Sequence, residues 1–266
     1  MKVRVVDMNF GHGDSSCHNR KPTYFDWDRR IYQSNVCFFT DRVLNRAVND
    51  PSKVKVAWLY EPKAINPSMY QWIERNHQIF DYVLTHDKSL CGLSNKFLFY
   101  PHGGCWIKDE DMKVYDKTKK ISIIASNKKQ TVGHKLRHEV ISEFGKDLDV
   151  YGRGYSPIDD KLEGLKEYQY HIVIENSKQD DYFTEKIIDC FATGTVPIYW
   201  GTNGIKKYFR DIITFDSISE LKGIISRIND GEKITNNRVI LNNFENAKKY
   251  KVSEDYFYEK YKFLFL

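Results

Sequence analysis

Two stretches of the chain hold side chains that chemistry would use. The first runs Glu175-Asn-Ser-Lys-Gln-Asp-Asp-Tyr-Phe-Thr-Glu-Lys186, a polar loop leading into a helix. Residues 170–174 ahead of it are β-branched or aromatic, the pattern of a buried strand. Thr184 is placed to cap the helix, Glu185 and Lys186 fall in its first turn, and Gly194 can end it. Ile187, Ile188 and Phe191 recur at helical spacing, and residues 195–200 read as the next strand. Polar residues thus gather where a strand's carboxyl end meets a helix N-terminus, whose exposed N–H groups attract anions and phosphate in particular. Lys186 adds a full charge there, and a lysine at that pole is mildly misplaced unless an anion faces it. The second stretch is Tyr60-Glu61-Pro62, a carboxylate in a proline-stiffened loop at a strand end, and such a group can accept a proton. Taken alone, these residues also fit plainer roles: Glu61 as a solvated charge or cap, Glu185 as a helix-start acid, Asn176 as a loop cap, Tyr182 as packing and Glu175 as a structural strand end. Asp180 and Asp181 stand side by side, but adjacent acids in such loops more often cap than bind metal, and no catalytic metal is expected.

The elements that must position these loops alternate. Residues 2–6, 35–40, 53–59, 80–85 and 96–100 read as strands, with a helix after Asp41, read as its cap, and another over 68–76. Residues 108–120 are charged and lose apolar periodicity, as a linker does. A second alternation follows: strands at 121–125, 148–151, 170–174, 195–200 and 212–215, helices at 133–144 and 217–228, and a helical tail from about 253. The division expected is an N-terminal α/β domain over 1–112, a linker over 113–120, a second α/β domain over 121–245 and a tail over 246–266. Strands alternating with helices call for parallel sheets covered on both faces.

Composition bounds the reading. A chain of 266 residues, 41% hydrophobic and 29% charged, can bury two modest cores. The net charge of +5 comes mainly from dispersed lysines and permits anionic partners such as nucleotide sugars without demanding them. Five cysteines, scattered and without a C-x-x-C pair, suggest neither a disulfide framework nor a zinc site. No apolar run approaches the ~20 residues of a membrane span, and Asp7 interrupts the apolar start too early for a signal peptide, so a cytoplasmic protein is expected.

Glu175-Asn-Ser, then Asp181-Tyr-x-Thr-Glu-Lys186, then Val196-Pro-Ile-x-x-Gly201 resembles the donor-binding motif of the family 10 glycosyltransferases, the α1,3/α1,4-fucosyltransferases. Trp58-Leu-Tyr-Glu-Pro62 with Pro67, then Phe80-Asp-Tyr-Val-Leu-Thr-His-Asp87, then Tyr100-Pro-His-Gly103, and Ala125-Ser-Asn with Asp149-Val-Tyr-Gly152 are similar to further segments of that family in consistent order. The resemblance implies a GT-B fold, two Rossmann-like α/β domains facing across a cleft. It implies an inverting transfer of fucose from GDP-fucose to a hydroxyl of a glycan acceptor, with no cofactor required. Glu61 would be the catalytic base, and Asn176, Tyr182, Glu185, Lys186 and Glu175 would contact the donor. Alignment on Lys135-Leu136 puts Gly133 where the family has an arginine that holds the donor diphosphate, leaving His134, Arg137, Lys128 or Lys129 to take its place. Two other outcomes fit the same residues: a transferase using another sugar nucleotide or an unusual acceptor, such as a hydroxylated base in DNA, and a non-catalytic module that binds a sugar nucleotide or glycan.

Overall fold

The computed structural model describes residues 1–11, 13–18, 20–30 and 34–265. Its chain divides into two compact units: residues 1–104 with 179–182 and 252–266, and residues 105–178 with 183–251.

The first unit holds strands β1 (Lys2–Val6), β2 (Asp26–Asp28), β3 (Val36–Thr40) and β4 (Val54–Trp58), helix α1 (Pro67–Asn76), strand β5 (Tyr82–Thr85), helix α2 (Lys88–Cys91) and strand β6 (Phe97–Phe99). They form one parallel sheet in the order β2-β1-β3-β4-β5-β6. Every residue of β3 is buried, as a parallel strand covered on both faces must be. Alternation along it separates two cores, Phe38 packing with Trp58, Leu84 and Tyr100, and Cys37 and Phe39 with Tyr70, Ile73 and Phe80. The sequence reading missed β2, three residues at a sheet edge, and put an α-helix after Asp41 where the structure has a 3₁₀ turn over Asp41–Asn49.

In the second unit, β7 (Lys119–Ile124), α3 (Val132–Phe144), β8 (Asp149–Tyr151), β9 (Tyr168–Ile174), α4 (Glu185–Ala192), β10 (Val196–Trp200), β11 (Ile213–Thr214), α5 (Ile218–Asn229) and α6 (Asn237–Ala247) build a parallel sheet ordered β11-β10-β9-β7-β8. Val140, Phe144, Leu221 and Ile225 from α3 and α5 cover one face with Ile123, Ile172 and Ile198. Ile187, Ile188, Phe191 and Ala247 from α4 and α6 cover the other with Val173 and Tyr199. Gly194 ends α4 at φ 70°, a conformation open to glycine at little cost.

Counted from the first strand of each sheet, both units place the second strand on one side and the third on the other, so each has a topological switch point between its first and third strands. Open parallel sheets bind ligands there.

Two expected boundaries differ. The charged stretch read as a linker is tied into the second unit, because Lys117 Nζ reaches the Thr193 carbonyl and Thr195 Oγ1, each at 2.8 Å, and β7 begins at Lys119. The tail over 246–266 is not an appendage. Helix α7 (Ser253–Lys260) places Phe257 in the first unit's core, and the buried Glu254 accepts hydrogen bonds from Ser16 N at 2.6 Å and Trp27 Nε1 at 3.1 Å.

Candidate functional site

A pocket of about 320 Å³ opens at the switch point of the second unit, where the chain leaves β7 at Ala125–Ser126 and β9 at Ile174. Asn176, Glu185, Lys186, Arg137 and His134 all line it, joined by Lys128, Lys161 and Trp106. Polar groups from the loops after β7, β8 and β9 and from the first turns of α3 and α4 therefore meet in one place.

Local chemistry explains each position. Thr184 caps α4, its hydroxyl accepting from Lys186 N at 3.4 Å, which fixes where Glu185 and Lys186 emerge. Lys186 Nζ folds back on Thr184 Oγ1 at 2.9 Å, with Glu175 Oε2 at 3.6 Å. Arg137, one turn into α3, donates from Nε to the Ile174 carbonyl at 3.0 Å and from Nη2 to the same carbonyl and to Asn176 Oδ1 at 3.1 Å. It thereby orients Asn176 while keeping its charge in the pocket. His134 completes a capping box, Thr131 Oγ1 accepting from His134 N at 3.2 Å and His134 Nδ1 from Thr131 N at 3.2 Å. Burial, then the charge of Arg137, pushes its pKa down to about 4, so the ring stays neutral.

Gly133 has a steric reason. A Cβ there would lie 1.7 Å from the Glu175 carbonyl oxygen, and Gly133 N donates to the Asn176 carbonyl at 3.1 Å. The start of α3 presses against the end of β9 too closely for any side chain. Of the four basic candidates for the missing arginine, Arg137, His134 and Lys128 line the pocket.

Two residues expected to contact a donor lie elsewhere. Glu175 is 0% exposed and does not line the pocket, since Oε1 accepts from Thr184 N at 2.8 Å and Oε2 from Thr184 Oγ1 at 2.9 Å. It joins the end of β9 to the cap of α4, because a buried carboxylate needs such donors. Tyr182 belongs to the first unit and is buried among rings, with His86 at 5.0 Å and His102 at 5.9 Å between centroids. Asp181, at φ 57°, is buried and pairs with Lys88 at 2.5 Å.

Lys161 and Trp106 were not singled out from the sequence. Lys161 Nζ sits 3.1 Å from Glu185 Oε1 and 2.9 Å from Asp189 Oδ2, and 3.9 Å from the centroid of the Trp106 ring. Burial lowers its proton affinity, but the two carboxylates outweigh that and hold the ammonium charged. Amid Asp159, Asp160 and Glu163, Lys161 reads as solvated surface. The usable signal was Asp189, a charge inside the apolar run 187–192, which has to find a partner once buried.

Glu61 stands in the first unit, partly buried, on the loop after β4. Its N–H donates to Asp41 Oδ2 at 3.0 Å, and its carbonyl accepts from the Tyr70 hydroxyl at 2.9 Å.

Two parallel α/β units of this kind define the GT-B class of glycosyltransferases. A crystal structure of an alpha1,3-fucosyltransferase matches with a TM-score of 0.57 over 92% of this chain and 80% of that one, at 17% identity. A structure described as alpha1,3-fucosyltransferase with GDP matches at 0.55 over 99% and 88%, at 18% identity. At such identities the likeness is one of fold. Residues 114–262, more than half of the chain, match the family model described as glycosyltransferase family 10 (fucosyltransferase) C-term. The chain belongs to that family. Alpha-(1,3)-fucosyltransferase FucT of Helicobacter pylori is 41% identical over 56 residues, 21% of this chain and 12% of that protein, so the match spans a small part of the relative's length. Among the described residues no helix is long and apolar enough to cross a membrane.

Proposed function

We propose that the protein transfers fucose from GDP-fucose to a hydroxyl of a glycan acceptor, with inversion at the anomeric carbon. The observation that carries this is the pocket at the second switch point, in which Lys186, Arg137 and the N-terminus of α4 surround a space suited to a diphosphate. Membership of family 10 and the fold shared with a fucosyltransferase described with GDP support this reading of the donor.

In this reading the acceptor oxygen forms a bond to the anomeric carbon as the bond to the β-phosphate oxygen breaks. Glu61 takes the acceptor's proton, and GDP departs with the negative charge. Lys186 and Arg137 stabilise that charge, which grows in the transition state and is therefore where fixed cations accelerate the reaction. Arg137 takes the place of the arginine excluded at Gly133. Asn176, oriented by Arg137, hydrogen-bonds the nucleotide, and Glu185, oriented by Lys161, accepts hydrogen bonds from ribose or sugar hydroxyls. A base acting on the acceptor contributes ~10²–10⁴-fold.

Donor identity is tested by titrating GDP, GDP-fucose and UDP into the purified protein, followed by an assay of labelled fucose transfer to an N-acetylglucosamine-containing oligosaccharide. GDP binding tighter than UDP binding, with transfer, is expected. Preference for UDP reassigns the donor, and binding without transfer to any hydroxyl acceptor makes the chain a binding module.

A further inference from the structure

The Glu61 backbone N–H is held by a buried acid with an unusual backbone conformation, Asp41. Asp41 follows β3 at the switch point of the first unit, is 0% exposed, and adopts φ 26°, in the left-handed region that non-glycine residues rarely occupy. Its side chain does not cap the 3₁₀ turn that begins with it, as a cap reading of the sequence expects. Instead Oδ1 accepts from Tyr60 N at 2.9 Å, and Oδ2 accepts from Glu61 N at 3.0 Å and from Asn9 Nδ2 at 2.7 Å. Asn9 lies in the loop after β1, so the carboxylate joins the carboxyl ends of three strands, β1, β3 and β4.

A strained dihedral of this kind costs ~1–3 kcal/mol, and a buried carboxylate adds a desolvation cost that its hydrogen bonds only partly offset. Such features persist where the surroundings over-determine them, and they cluster at functional sites. Here the surroundings converge on Glu61. Its N–H is held by Asp41, its carbonyl by the Tyr70 hydroxyl of α1, and the next residue is Pro62.

We infer that Asp41 is a positioning residue for Glu61: its buried carboxylate pins the Tyr60–Glu61 backbone, so that the Glu61 side chain starts from one fixed point. This rests on the reading of Glu61 as the base. The two carboxyl groups also feel each other. Burial first, with the charge of Glu61 adding to it against the backbone hydrogen bonds, pushes Asp41 up to about 7. The other titrating groups coupled to Asp41 are Tyr70 on α1 and Tyr100 after β6, and Arg42 beside it turns its Nε to Asn66 Oδ1 at 3.4 Å.

The test compares Asp41→Asn and Asn9→Ala with the wild type in steady-state transfer across pH 4.5–9, with GDP affinity and thermal unfolding measured on each. A displacement of about 1 Å at a reacting group costs ~10²-fold. The expected result for Asp41→Asn is a kcat lower by roughly 10–100-fold with GDP affinity unchanged, and loss of the limb that Asp41, titrating at about 7, puts in the wild-type kcat/KM profile, because the variant has no carboxyl there to titrate. Asn9→Ala, which loosens the same carboxylate without removing it, lowers kcat by about 2–10-fold with GDP affinity unchanged. The inference is overturned if the folded variants keep wild-type kcat and limb, or if kcat and GDP affinity fall together with the limb unmoved, which is the signature of general loosening. Should Asp41→Asn not fold, Asn9→Ala decides by the same readings. Glu61→Gln run alongside separates the two claims: if that variant still transfers, the base assignment fails, whereas its inactivity beside a fully active Asp41→Asn overturns positioning alone.

Discussion

The two units share a strand order and place different side chains at its switch point. In the second, the switch point is an open pocket with a surplus of positive charge: Lys128, Arg137, Arg153, Lys161 and Lys186 line it against Glu185 and Asp189. In the first, the corresponding point holds a buried acid, Asp41, bonded to the backbone of a loop that carries another acid, Glu61. A surplus of positive charge around a cavity is suited to receiving an anionic ligand, whereas crowded negative charge is suited to holding a proton. In the proposed reading one topology supports binding in one half and proton transfer in the other, with side chains at the strand ends making the difference.

That division can be broken from either side. The largest effect expected is at Glu61: Glu61→Gln lowers fucosyl transfer by ~10²–10⁴-fold in a single-turnover assay. Next is Lys186→Ala, which removes a charge-assisted contact worth ~1.5–3 kcal/mol and so weakens GDP by about 10–150-fold in calorimetric titration. Equal loss of GDP affinity in both variants would contradict the division.

Gly133→Ala sharpens the comparison on the binding side. With a Cβ 1.7 Å from the Glu175 carbonyl oxygen, α3 must move away from β9, an overpacking that costs ~1–3 kcal/mol and lowers the melting temperature by several degrees. The shift also displaces Arg137 and Asn176, so GDP binding weakens with it. An unchanged melting temperature and affinity would show that the close approach is not needed.

The smallest effect is a difference in pH response. Asp41 binds its proton more tightly folded, at about 7, than unfolded, at ~3.9. Its contribution to stability is therefore full below about pH 4 and is lost as pH rises through 7. His171, buried with Nδ1 2.8 Å from Ser122 Oγ, has the opposite sign. Burial, then Lys161, lowers it to about 3 against ~6.5 unfolded, so its contribution is present above 6.5 and is lost as pH falls toward 3. Each group contributes a slope of at most ~1.4 kcal/mol per pH unit. Urea midpoints measured from pH 4 to 7 should become less sensitive to rising pH in Asp41→Asn, and less sensitive to falling pH in His171→Gln. A parallel change in both variants would refute the assigned signs.

Much of the fold was legible because period and punctuation agree in it. The all-buried run 36–40, the apolar spacing of 187, 188 and 191, and Thr184 with Gly194 around α4 each follow from local chemistry. The pocket residues Asn176, Glu185 and Lys186 were legible for the same reason, since a strand, a loop and a capped helix fix where they emerge. What sequence hides is where a charged side chain turns after burial. Glu175 looked like a donor contact and is instead committed to Thr184, and Tyr182 joins a cluster of rings in the other unit. Asp41 looked like a helix cap, yet its partners are 19 and 20 residues away on another strand's loop. Lys161 is 24 and 28 residues from the acids it pairs with, a relation set by packing rather than by pattern.

The most direct test of the division is calorimetric titration of GDP into three proteins under one buffer: wild type, Lys186→Ala and Glu61→Gln. Binding should weaken by at least tenfold in Lys186→Ala and stay within about twofold of wild type in Glu61→Gln, while only wild type transfers fucose at full rate. Wild-type GDP affinity in Lys186→Ala, or its loss in Glu61→Gln, would contradict the account.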